Sequence, residues 1–289
     1  MTNPNFKRGF YMKNRIPRVC AANDLSGFGR CSLTTAIPIL SVMGVQCCPL
    51  PTAILSCQTG FSSFHFRDLT EDITPYINNW SEHGIDFDTI YTGFLGSSEQ
   101  IYLMKKLIEQ FGTDSLIFID PVMGDDGKLY STYTQGMLDG MKKLIKRADI
   151  ITPNVTEACM LLNREFTGNT IPIEEALEMA KMLCDNGAGI TVITGVNNGG
   201  IATVAYDKNT GESISYSTQR TKMQYSGTGD IFASVLCGSL TKGNPLKSSI
   251  EIASEFVRET TDFTMRLGTP LLDGIAFEPF LAKLGGASI

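Results

Sequence analysis

Gly227-Thr228-Gly229-Asp230-Ile231-Phe232-Ala233-Ser234-Val235-Leu236-Cys237 reads as a tight glycine turn opening an apolar helix, with a carboxylate at the junction. The first amides of a helix have no carbonyl partner and carry partial positive charge. Glycines let an anion come close to that backbone. The turn is therefore a phosphate site in outline, with Asp230 placed to take a proton from a hydroxyl attacking the phosphate. A Walker P-loop is excluded, because no Gly-Lys-Ser/Thr follows. A dinucleotide fingerprint is excluded too, because the turn lies late in the chain and not in the first βα unit. Taken alone, the stretch reads more readily as a helix capped by Asp230, so the rest of the chain has to decide.

Upstream, strand-like and helix-like runs alternate, the pattern of a mostly parallel sheet covered by helices. Strands are expected at Arg18–Ala22, Gln46–Leu55, Thr89–Leu95, Ser115–Asp120, Asp149–Thr152 and Ile190–Thr194. Helices are expected at Cys31–Met43, Ser98–Phe111, Thr134–Lys146 and Ile173–Asn186, with Pro38 kinking the first. Ile201–Tyr206 and Ser213–Ser217 flank a hairpin turn at Asp207–Gly211. Helices at Asp230–Leu240, Leu246–Arg266 and Phe277–Leu284 close the chain. Pro49 and Pro51 place the second strand at an edge or a bend. Lys128–Tyr133 reads equally as a cover over a ligand or as a solvated loop. No composition break or linker appears, so one domain is expected over residues 17–289 behind a leader at 1–16.

In doubly wound sheets, ligands sit beyond the carboxyl ends of the strands. Polar residues recur there: Asp24, then Gln58 and Thr59, then Gly93-Phe94, then Asp120–Asp126, then Asn154 and Glu157, then Thr194. Each has a plain reading as turn or first-turn chemistry. Their recurrence points to one shared cleft.

Composition narrows the chemistry. With 43% hydrophobic and 19% charged residues over 289 positions, the chain has the make-up of a soluble globular protein. A net charge of −6 argues against a nucleic-acid surface, which needs clustered Lys and Arg. No run approaches the ~20 apolar residues of a membrane span. The eight cysteines contain no Cys-x-x-Cys pair and sit mostly in apolar runs, which reads as free buried thiols in a reducing cytoplasm. With two histidines, His-based metal or triad chemistry is disfavoured.

Asp120-Pro-Val-Met-Gly124-Asp125, Ile151-Thr152-Pro-Asn154-Val-Thr-Glu157 and Gly227-Thr-Gly-Asp230, in this order and spacing, resemble the ribokinase-like vitamin kinases. The likeness is nearest to the pyridoxal/pyridoxine/pyridoxamine kinases, with the hydroxymethylpyrimidine kinases as siblings. Leu50–Gly60 resembles their vitamin-pocket segment, and Thr92–Ser97 extends the match. The resemblance implies a single-domain α/β three-layer sandwich, a homodimer, ATP with Mg²⁺ (and room for a monovalent cation), and transfer of the γ-phosphate to the 5′-hydroxymethyl group of a B6 vitamer. It implies Asp230 as base and the amides of Gly227, Thr228 and Gly229 as an anion hole. Asp120, Asn154, Glu157 and Thr194 would organise the nucleotide, Asp125 and Glu157 the metal, and Asp24, Gln58, Thr59 and Phe94 the acceptor. The chemistry suits these residue types, since phosphoryl transfer needs positioning and charge neutralisation. With an ordinary carboxylate pKa of ~3.9, Asp230 would orient the hydroxyl and take its proton late.

Several residues depart from the B6-kinase pattern. Asp24 stands where many such kinases have Ser, Phe94 replaces a commoner Tyr, and Gln58 is nearer the pyrimidine-kinase choice than the usual His. The loop Asp24–Gly29 partly resembles the Asp-Pro-Ser-Gly-Gly of the pyrimidine kinases. Pyrimidine phosphorylation is therefore the alternative within this chemistry, and a non-catalytic ligand-binding protein on the same fold is the alternative outside it.

Overall fold

A computed structural model describes residues 15–219 and 225–285. In chain order the elements are β1 (Arg18–Ser26), α1 (Ser32–Val42), β2 (Gln46–Leu55), β3 (Phe66–Asp68), α2 (Thr70–Glu82), β4 (Thr89–Thr92), α3 (Ser98–Phe111) and β5 (Leu116–Ile119). Then come β6 (Gly124–Asp125), β7 (Lys128–Leu129), α4 (Gln135–Leu144), β8 (Ile150–Ile151), α5 (Val155–Leu162) and α6 (Ile173–Asp185). The chain finishes with β9 (Ile190–Asn197), β10 (Ile201–Asp207), β11 (Glu212–Thr218), α7 (Thr228–Thr241) and α8 (Leu246–Leu267). The expected α/β alternation is present, in a large and mostly parallel sheet with helices. The backbone divides into two compact units, Met1–Thr89 with Thr221–Ile289, and Ile90–Arg220. Most of the expected leader lies outside the described residues. Arg15, at its end, donates to Asp86 and Asp88 at 2.6 Å each.

In the first unit β1 pairs in parallel with β2, and β3 pairs antiparallel with β2 over Ala53–Leu55 only. Pro49 and Pro51 therefore lie on the stretch that β3 does not cover, where a missing N–H breaks no ladder bond. β1 runs four residues beyond its expected end. Its register slips between Asn23 and Leu25, where Thr52 and Ala53 of β2 stand against Asp24 alone, so Asp24 lies inside the strand, opposite a bulge in β2, and not in a loop after it. A bulge disrupts the ladder locally and increases the twist of the pair. α7 is buried along almost its whole length from Ile231 on, as its all-round apolar sequence requires.

The second unit carries the order β11-β10-β9-β8-β5-β4. β5, β8 and β9 pair in parallel, and β9, β10 and β11 pair antiparallel. Every residue of β4 and β5 is buried, the signature of strands covered on both faces. β11 alternates instead, as an edge strand with one wet face does.

The sequence reading omitted β3 and α2. α2 carries Pro75 internally and buries only Ile73 and Ile77, an apolar stripe too thin to announce a helix. It also gave no explicit helix at α5, whose eight residues are short for periodicity to register. Phe277–Leu284 forms a 3₁₀ helix over Glu278–Lys283 and not an α-helix.

Candidate active site

In the first unit the glycine turn stands as expected. Gly227 caps α7 at φ 82°, and no side chain among the described residues caps the helix. A Cβ at Gly227 would run into the Arg30 carbonyl oxygen, so both the positive φ and the close approach require glycine. The first amide to find a carbonyl within the helix is Ile231 N–H, on Gly227 O at 3.0 Å. The amides of Thr228, Gly229 and Asp230 precede it and lie outside the helix ladder. Open space surrounds Gly229. These are the features an anion needs.

Asp230 is part-exposed, yet its environment is far from neutral. Burial of the carboxyl, then the Asp24 carboxylate, push it up to about 7, while the Ser32 amide and the Asn23 side chain pull it down. The expected ordinary carboxylate is thus corrected: Asp230 is a stronger base, poised near neutrality. Asp24 is buried in β1 opposite the β2 bulge, where Ser26 Oγ donates to it at 2.7 Å. Burial raises its pKa as well, against hydrogen bonds from Ser32, Ser26 and its own backbone. Two neighbouring carboxylates resist carrying two charges together.

Gln58, expected from sequence at the acceptor, is buried. Its Oε1 accepts from Gly60 N–H at 2.6 Å, and its Nε2 donates to Leu272 O at 3.3 Å, so its side chain bonds two turns together. Thr59 beside it is exposed.

The second unit gathers the other expected residues. Asp120 is buried at the end of β5, and its Oδ1 accepts from Thr152 Oγ1 at 2.9 Å. Asn154 and Glu157 form a capping box at the start of α5. Glu157 N–H donates to Asn154 Oδ1 at 2.8 Å, and Asn154 N–H donates to Glu157 Oε2 at 2.9 Å. Both side chains also reach sideways. Glu157 Oε1 accepts from Met123 N–H at 2.8 Å, and Asn154 Nδ2 donates to Gly124 O at 2.9 Å. The box therefore moors the Met123–Asp125 backbone to the helix. Burial raises the Glu157 pKa against these backbone amides, and the nearby Asp125 adds to the rise.

Asp125 lies in the β6–β7 hairpin, whose central residues Asp126 and Gly127 have φ of 48° and 75°. That is the primed turn for which Asp-Gly is the strongest short signal, and the sequence reading passed over it. Lys128–Leu129, part of the possible cover, are a strand of this hairpin. Thr194 lies inside β9, bridged to Asn154, where the sequence placed it at the strand's end. Phe94 is buried in the turn between β4 and α3. Asn23, Ser26 and Ser32, which bond Asp24 or Asp230, and Arg30, whose carbonyl faces Gly227, were not singled out from sequence. A buried Asn or Ser leaves no periodic trace.

The carboxylate oxygens of Asp125 and Glu157, which lie near each other, are of the donor type Mg²⁺ takes, while among the described residues no three His, Cys, Asp or Glu side chains group so as to hold a metal ion. All eight cysteines are free thiols, as expected, and no helix among the described residues is long and apolar enough to cross a membrane.

Residues 35–271 match the phosphomethylpyrimidine kinase family. A provisionally named phosphomethylpyrimidine kinase of Bacteroides thetaiotaomicron shares 39% identity, with 96% of each chain covered and a TM-score of 0.91. An orthorhombic form of it, crystallised with pyridoxal, superposes at a TM-score of 0.87 with 38% identity over 93% of this chain and 96% of that one. The pyridoxal kinase of Lactobacillus plantarum follows at 30% identity, 93% and 97% coverage and a TM-score of 0.85. A hydroxymethylpyrimidine/phosphomethylpyrimidine kinase of Bacillus subtilis is 28% identical over 250 residues, 85% of this chain and 82% of its own.

Proposed function

The chain belongs to the phosphomethylpyrimidine kinase family, whose members are ATP-dependent phosphotransferases of the ribokinase-like fold, and we propose that it phosphorylates the 5′-hydroxymethyl group of a vitamin B6 vitamer. The observation that carries the transfer chemistry is the uncapped α7 turn with Asp230 held near neutrality beside Asp24. Asp230 orients the acceptor hydroxyl and receives its proton. The amides of Gly227, Thr228 and Gly229 take up negative charge on the moving phosphoryl group, a preorganised role that costs no rearrangement at the moment of reaction. By likeness to the family, Asp120, Asn154, Glu157 and Thr194 organise the nucleotide. Asp125 would hold Mg²⁺, with Glu157 acting through water, and the ion would neutralise phosphate charge. The backbone amides that Glu157 already accepts on both oxygens favour that indirect role.

The choice of a pyridine acceptor is supported by the relative crystallised with pyridoxal. A buried acid such as Asp24 also suits a pyridine nitrogen or a phenolic hydroxyl. The rival acceptor is hydroxymethylpyrimidine, favoured by the family match and the Bacillus relative. A cytoplasmic homodimer completes the proposal. Purified protein with ATP and Mg²⁺ should be given pyridoxal, pyridoxine, pyridoxamine and hydroxymethylpyrimidine in turn, with phosphorylated product followed. A B6 vitamer is expected to give the highest kcat/KM. A clear preference for the pyrimidine would overturn the acceptor assignment while leaving the phosphotransfer intact.

A further inference from the structure

We propose that Arg30 is a positioning residue for the base, anchored by the C-terminal segment so that its backbone bend aims Ser32 at Asp230 and seats the Gly227 turn. Arg30 and Ser32 both adopt left-handed backbone, at φ 46° and 51°. For residues with a side chain, such a conformation is strained and persists only where its surroundings enforce it. The enforcing contacts lie within the first unit. Arg30 Nε donates to Glu278 at 2.6 Å and Nη1 to the Asp273 carbonyl at 3.3 Å. Gly274 packs so close to the Gly29 carbonyl that a Cβ would collide with it. Gln58 braces the same bend, its N–H donating to Phe28 O at 3.0 Å and its side chain to Leu272 O. Ser226 N–H donates to Leu271 O at 3.4 Å, so Leu271–Glu278 touches the approach to the catalytic turn as well.

The bend has two outputs. The Arg30 carbonyl is the surface against which Gly227 rests, and Ser32 supplies the amide that bonds Asp230. The Arg30–Glu278 pair is itself half-exposed, at 35% and 51%. Such a pair adds little to global stability. Its effect is therefore expected in the geometry of the base and not in the fold.

The inference rests on Asp230 being the base. Steady-state kinetics and hydrogen exchange of the full chain test it, with melting curves to verify folding. Arg30→Met is expected to lower kcat and kcat/KM together by about 10–100-fold, with KM for ATP and for the alcohol little changed. Arg30→Lys should recover part of the loss, and Glu278→Gln should show the same loss more weakly. Peptides spanning residues 27–34 and 226–232 should exchange faster in Arg30→Met. Unchanged kcat in a folded Arg30→Met, unchanged exchange, or a raised alcohol KM at constant kcat would each overturn the proposal. Should Arg30→Met not fold, Glu278→Gln on its exposed side chain decides by the same readouts. A wild type that phosphorylates no alcohol, or a fully active Asp230→Asn, overturns the functional reading along with this one. A wild type that needs Asp230 but ignores Arg30 overturns this one alone.

Discussion

Asp230 was visible in the sequence as a carboxylate after a glycine turn, but its strength as a base was not. That strength comes from burial and from Asp24, 206 positions earlier in the chain, and no local pattern records such a neighbour. Two outcomes follow for Asp230→Asn. Turnover should fall by about 10²–10⁴-fold, the usual worth of a positioned proton acceptor, while ATP binding measured by calorimetry persists. In the wild type, kcat should rise with pH through about 7 as Asp230 ionises. Stability should move the other way. A carboxyl whose pKa is raised on folding contributes most below its unfolded value, and that contribution is lost as pH rises through the folded value. Above pH 7 Asp230→Asn should therefore melt higher than the wild type, by a few degrees, and the difference should vanish toward pH 4. An Asn variant no more stable at pH 8 than at pH 4, relative to wild type, would contradict the raised pKa.

At the scale of elements, Asn154 and Glu157 show how one pattern serves two ends. Asn-x-x-Glu is a legible capping box, and the family likeness reads it as nucleotide chemistry. In the folded chain it is both a helix start and a mooring for the hairpin that carries Asp125. The two tasks separate experimentally. Asn154→Ala should cost about 1 kcal/mol as a lost cap, or ~2–4 °C in Tm, and should also lower activity. Asn154→Ser keeps a capping oxygen but cannot reach Gly124 O. It is expected to restore most of the Tm and little of the activity. Full recovery of both in thermal melts and assays would mean that the mooring is idle. The neighbouring hairpin was announced by Asp126-Gly127, whereas α2 was hidden by its internal Pro75 and its thin buried stripe.

At the scale of the whole molecule, the first unit is assembled from chain segments on either side of the second. A single domain over residues 17–289 remains our proposal, and unfolding tests it. The only tryptophan, Trp80, packs edge-on against Tyr76 and Phe87 in the first unit. Its fluorescence reports that unit, while far-ultraviolet circular dichroism reports all the helices. One domain requires the two denaturation curves to coincide, and separated midpoints would divide the chain in two. The sequence by itself determined the α/β alternation, the glycine turn and the order of motifs that marks the family. Each of these depends on spacing within a few residues, which hydrophobic period and turn chemistry record directly. Only the tertiary structure decided that Asp24 sits within β1 opposite a bulge and beside Asp230, that Gln58 bonds two turns together, and that Arg30 is tied to the far end of the chain. Those facts depend on burial and on contacts between residues remote in sequence, and no local pattern encodes a charge's distance from its partner or the loss of its water.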